Sequence, residues 1–106
     1  MEYKDRTVTL LGQKISISFM KNVLAEDGSW LYGSCNDYQG SITILISTHN
    51  SEGKALDKNT IDLTLRHELF HAIFDRLQMR EYSDNEILVE WLASATQELH
   101  KQGLTI

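Results

Sequence analysis

The chain has 106 residues, 42% hydrophobic and 24% charged, which suits one packed domain over 1–106 and leaves too little for a second. A formal net charge of −5 with no basic run argues against nucleic acid as a partner, because phosphate neutralisation needs a clustered cationic face. The single cysteine, Cys35, excludes an intrachain disulfide and a thiolate metal cage. The opening Met-Glu-Tyr-Lys-Asp-Arg lacks the apolar stretch of a secretory signal, and no apolar run is long enough to span a bilayer. The expectation is a cytoplasmic protein with no membrane partner.

The elements begin with strands. Thr7 to Leu10 and Lys14 to Phe19 alternate apolar and polar residues, with Gly12-Gln13 as the turn between them. Lys21 to Glu26 reads as a short helical turn ending at Asp27-Gly28, and Trp30 to Cys35 as a third strand. Asn36 to Gly40 has turn chemistry, and Ser41 to Ser47 is the clearest strand. Residues 48–56 are polar and carry a glycine, so they read as a loop in which His49 is solvated.

Helix then takes over. Asp57 or Thr60 can cap a helix running to about Met79, with Leu63, Leu69, Phe70, Ile73, Phe74 and Leu77 on its core side. Ser83 opens a second helix, ended by Gly103, whose apolar side holds Ile87, Leu88, Trp91, Leu92, Ala95 and Leu99. Trp30, Trp91 and Cys35 are expected in the core. The order predicts an α+β domain: a small, mostly antiparallel sheet followed by an antiparallel pair of helices.

The chemistry lies in His67-Glu68-Leu69-Phe70-His71. Histidines four apart share one helix face, so two neutral imidazoles can reach one metal ion. Glu68 is rotated about 100° from His67, which places it beside an open coordination position as a general base rather than as a ligand.

A catalytic zinc site needs a third protein ligand, and the next helix offers Glu86 and Glu90, again four apart. Ser83-Asp84-Asn85-Glu86 has the form of a capping box, which occupies Glu86 locally, whereas Glu90 lies in an apolar stretch and needs a partner. With the first helix running to Gln78 and the second starting near Asp84, equal rise per residue sets Glu90 beside His71. A shorter first helix reverses the preference. Glu90 is therefore expected, with Glu86 as the alternative.

This pattern resembles the gluzincins, the zinc peptidases of thermolysin-like and aminopeptidase type. Residues 72 to 89 separate His71 from Glu90, an interval similar to that of the aminopeptidases, and Glu90-Trp91-Leu92-Ala93 looks like their Glu-Gly-Phe-Ala. Asn85-Glu86-Ile87-Leu88-Val89-Glu90 also resembles the thermolysin Asn-Glu-x-x-x-Asp, which makes Glu86 the ligand and Glu90 the partner of a histidine. In size and element order the chain looks closest to compact bacterial and phage zincins, including ImmA/IrrE-like metallopeptidases, on Thr64-Leu65-Arg66-His67-Glu68-Leu69-Phe70-His71-Ala72.

The resemblance implies a zinc (Zn2+) metallopeptidase acting on a peptide or protein substrate. Zinc on His67, His71 and a glutamate activates water and polarises the carbonyl, while Glu68 moves the proton. An extended substrate pairs with an edge strand, for which Ile42 to Ser47 is the natural choice. Tyr38, Tyr82, His49 and His100 are the donors considered for the transition state. The alternative is a catalytically silent zincin-fold module that binds zinc for stability or for gripping a partner. No oligomeric state is implied.

Overall fold

The computed structural model describes residues 3–104. Met1 and Glu2, the start of the N-terminal stretch read above, lie outside the described residues. Among the described residues, six strands precede three helices: β1 (Arg6–Leu10), β2 (Gln13–Met20), β3 (Val23–Leu24), β4 (Trp30–Leu31), β5 (Gly33–Tyr38), β6 (Ser41–Ser47), α1 (Lys58–Arg76), α2 (Arg80–Ser83) and α3 (Glu86–Lys101). The domain is α+β.

The main sheet has four strands in the order β1-β2-β6-β5. Its two outer pairings are antiparallel, as expected, but the central β2–β6 pair is parallel, with Ile15 opposite Ile42 and Ile17 opposite Ile44. Two-residue turns close the antiparallel hairpins: Leu11-Gly12 and Gln39-Gly40 all have positive φ, as type I′ turns require. The first turn thus sits one residue earlier than the sequence predicts. Asn36, Asp37 and Tyr38 extend β5 rather than forming a turn.

Residues 21–26 do not form a helical turn. Val23 is buried and its N–H donates to Ser47 Oγ (2.8 Å), which holds the segment extended. Gly28 at φ +86° and Asp27, whose Oδ1 accepts from Ser29 N, then close a small hairpin of β3 on β4. The expected third strand is split at Tyr32 between β4 and β5.

Alternation in β2 and β6 puts Ile15, Ile17, Ile42, Ile44 and Ile46 on one face, all buried against Ile61 and Ala72 of α1. Each such isoleucine contributes about 1.5–3 kcal/mol relative to an exposed position, so this face supplies most of the driving force for docking α1.

Asp57 caps α1 by accepting from Thr60 N (2.8 Å). The helix stops at Arg76, earlier than predicted, because Gln78 adopts φ +58° and Met79 N donates back to Phe74 O (2.8 Å). A single turn, α2, follows, and Asn85 rather than Ser83 caps α3, accepting from Leu88 N at 3.0 Å.

The helices α1 and α3 run antiparallel: Gln97 near the end of α3 donates to Asn59 O at the start of α1 (2.9 Å). The buried row of α3 is Val89, Ala93 and Gln97, whose small Ala93 lets the helices approach closely. Much of the expected apolar side is turned outward, while Leu88 and Leu92 are half-buried. Ile87 is 74% exposed and Trp91 71%, so Trp91 is not a core residue. Trp30 is half-buried and its Nε1 donates to His49 O (3.1 Å).

Candidate metal centre

One face of α1 carries Thr64, His67, Glu68, His71 and Asp75, the i, i+3, i+4, i+7 and i+11 positions that helix periodicity brings to one side. That face floors a groove of about 830 Å³, walled by β5 on one side and by α2 and the start of α3 on the other.

His67 and His71 are both largely buried, and their Nε2 atoms lie 3.3 Å apart. Glu86 faces both: its Oε2 is 3.0 Å from His67 Nε2 and its Oε1 2.9 Å from His71 Nε2. The donor atoms of His67, His71 and Glu86 all fall within 4.8 Å of one another. Glu90 lies elsewhere, with its Oε2 3.2 Å from His67 Nδ1. Ser83 Oγ lies 3.1 Å from His71 Nδ1.

The placement of the two glutamates follows from the helix ends. The helix α1 is shorter than the sequence reading assumed, and α2 inserts a turn before α3. The level match therefore moves toward Glu86, the first residue of α3. With Asn85 as the cap, Glu86 is not spent on a capping box.

The donor set suits zinc. Two imidazole nitrogens and a carboxylate are nitrogen and oxygen donors of the kind zinc takes, and three protein ligands leave a fourth position open. Metal–nitrogen bonds of about 2.0–2.1 Å in a tetrahedron set neighbouring donors about 3.3 Å apart. The observed Nε2 separation of 3.3 Å matches that spacing.

Glu68 is 7% exposed and lines the groove. Burial, reinforced by the neighbouring Glu86 and opposed by His67, pushes its carboxyl up to about 7. A carboxyl so placed exchanges its proton near neutrality, which suits a general acid–base role.

Gly33 explains how β5 comes so close. A Cβ there would sit 2.8 Å from Thr64 Cγ2, 2.9 Å from Leu45 O and 3.3 Å from Glu68 Cγ. Only glycine lets this strand lie against the helix turn that holds Glu68.

Sequence reasoning placed the peptide-pairing edge at Ile42 to Ser47, but β6 is flanked on both sides, and β5 is the edge beside the groove. None of Tyr38, Tyr82, His49 and His100 lines the groove. Tyr38 is 73% exposed at the far end of β5, Tyr82 packs on Phe74, and His49 Nδ1 is hydrogen-bonded to Thr48 Oγ1 (2.8 Å). The long donors that do line it are Tyr32 and Arg80. The sequence held signals for two further groove residues: a glycine inside a strand pattern at Gly33, and Asp75 one turn beyond His71.

No helix among the described residues is long and apolar enough to cross a membrane. No protein-family model, curated protein or solved structure matches the chain, so its functional reading rests on the residues of this groove.

Proposed function

We propose that this protein is a zinc-dependent hydrolase of peptide bonds, with His67, His71 and Glu86 as metal ligands and Glu68 as general base. The observation that carries the reading is the convergence of both Nε2 atoms on the Glu86 carboxylate, with buried Glu68 opening into the same groove. Glu86 replaces Glu90, the residue preferred from sequence, as third ligand. The Glu90 carboxylate, 3.2 Å from His67 Nδ1, stands behind that ring and would hold it in place.

When bound, zinc supplies Lewis-acid polarisation of the substrate carbonyl and lowers the pKa of water at the site. The chain's own groups do the rest. The free edge of β5 offers backbone donors and acceptors to an extended peptide, setting its scissile bond over the α1 face. Glu68 takes a proton from the attacking water and returns it to the departing amine nitrogen. Tyr32 and Arg80 are the groove donors available to charge developing on the carbonyl oxygen.

The silent-module alternative gives no use for a buried carboxyl at Glu68 opening into the groove. The test is direct. The untagged protein should bind one equivalent of zinc and cleave an unfolded casein probe. Glu68→Gln should keep the zinc and lose at least about a hundredfold in cleavage rate. Absence of zinc binding after loading sinks the metal reading, and cleavage that survives Glu68→Gln removes Glu68 from its role.

A further inference from the structure

A surface helix ordinarily turns its apolar stripe to the core and its charges to water, and α3 departs from this. Ile87, Trp91, Ala95 and Leu99 follow one another at intervals of four and form one ridge along the helix. The buried row is Val89, Ala93 and Gln97, so the ridge faces solvent. No large apolar side chain among the described residues is more exposed than Ile87, and Trp91 is nearly as open. Half-buried Leu88 and Leu92 widen the apolar surface along one flank. Exposed Leu104, whose N–H donates to Leu99 O (3.1 Å), lengthens it at the C-terminal end. The chain exposes 7204 Å² in all. A folded monomer of 12.2 kDa exposes roughly 6,100 Å². The excess of about 1,100 Å² is larger than the roughly 800 Å² that one partner contributes to a standard interface.

Charge decides which partner suits the ridge. The row beside it is Glu90, Ser94 and Glu98, again four apart, with Ser94 Oγ 3.5 Å from Glu90 Oε1. The Glu98 carboxylate has no ion pair or hydrogen bond among the described residues. A second copy is a poor occupant, because a two-fold axis lays this glutamate row along its own copy and each chain carries −5. An anionic membrane surface is repelled in the same way. We propose that the ridge from Ile87 to Leu99 docks a basic amphipathic helix of another protein. Its apolar side covers Ile87 and Trp91, and its lysines or arginines lie over Glu90 and Glu98. Trp91 is the anchor, a large ring that leaves water on docking. The ridge residues lie outside the groove that holds the histidines, so docking holds whether or not zinc is bound.

The experiment titrates the full chain with a short tryptophan-free peptide of leucine and lysine patterned as an amphipathic helix, and with its leucine–glutamate counterpart. Calorimetry should find one leucine–lysine peptide bound per chain, at least about tenfold more tightly than the counterpart, and more weakly as salt rises from about 50 to 500 mM. The tryptophan emission of the chain should move to shorter wavelength as Trp91 is covered. Trp91→Ala, a change at an exposed site that circular dichroism should find folded, should weaken binding at least about tenfold and abolish the emission shift. Glu98→Lys should weaken it by about threefold or more. No binding of the leucine–lysine peptide, equal binding of the two peptides, or a loss under tenfold in Trp91→Ala overturns the proposal. Sedimentation of the chain alone should give a monomer. A dimer that Trp91→Ala dissociates gives this face to a second copy, and an emission shift on phosphatidylcholine vesicles gives it to a lipid surface; either result overturns the proposal.

Discussion

Replacing Gly33 with alanine tests how tightly β5 is pressed against the helix that carries the site. Gly33 does not have positive φ, so alanine can adopt its backbone conformation, and the loss of chain freedom in the unfolded state alone would stabilise by about 0.4–1 kcal/mol. Two contacts oppose this. The new Cβ would lie 2.8 Å from Thr64 Cγ2 and 2.9 Å from Leu45 O. The second is backbone in the middle of β6 and cannot rotate away. Overpacking of this kind costs about 1–3 kcal/mol, which outweighs the gain.

The net cost is about 1–2 kcal/mol, so at about 4–8 °C per kcal/mol for a domain of this size the variant should lose roughly 5–15 °C in melting temperature, read by circular dichroism. Adding Thr64→Ser, which removes Cγ2 and keeps the hydroxyl that donates to Thr60 O (2.9 Å), should recover part of the loss and not all of it. A melting temperature at or above that of the unaltered chain would refute the close approach. Full recovery by Thr64→Ser would show that the strand backbone is not a barrier.

On the proposed reading, Glu86→Ala should weaken zinc binding by more than about a hundredfold, and Glu90→Ala by about 10–100-fold, because one would remove a ligand and the other a ring-holding partner. Both side chains are largely exposed, so neither change should unfold the domain. Chelator competition that ranks Glu90→Ala as the worse variant reverses the assignment. Burial pushes the Cys35 thiol up to about 12, with Asp75, Glu68 and Asp37 adding to the effect. Its alkylation by iodoacetamide at pH 8 should run on the order of a thousandfold slower than in urea-unfolded chain, since only the thiolate reacts. Rates within tenfold of each other would contradict the burial of Cys35 that, with the nearby carboxylates, raises its thiol.

Much of this architecture was legible in the residues. The period-two pattern of Ile15 and Ile17 and of Ile42, Ile44 and Ile46 marks the buried face, and Asp57 marks the helix start. The histidine pair and Glu68 follow from helix geometry alone. The parallel pairing of β2 with β6 was not legible, because alternation reports which face is buried and not which neighbour lies alongside. Nor was the orientation of α3. Ile87 and Trp91 dominate any hydrophobic pattern, yet the row that packs on α1 is set by small Ala93 and by the Glu86 side meeting the histidines. Which of Glu86 and Glu90 faces both Nε2 atoms turned on where α1 stops, and Gln78, a residue with no strong stop signal, ends the helix by entering the left-handed region.

The parallel centre of the sheet also bears on how the chain reaches its native form. The β1–β2 and β5–β6 hairpins, and the pairing of α1 with α3, form between segments close in sequence. The β2–β6 register closes only after residues 21–40 have looped back, and loop entropy is lost before that ladder gains anything. Two hairpins and a helical hairpin should therefore assemble quickly and wait for one another, with β2–β6 closure limiting the rate. Substitutions at Ile15 or Ile44 should slow refolding, whereas substitutions on the outward face of α3 should leave that rate unchanged.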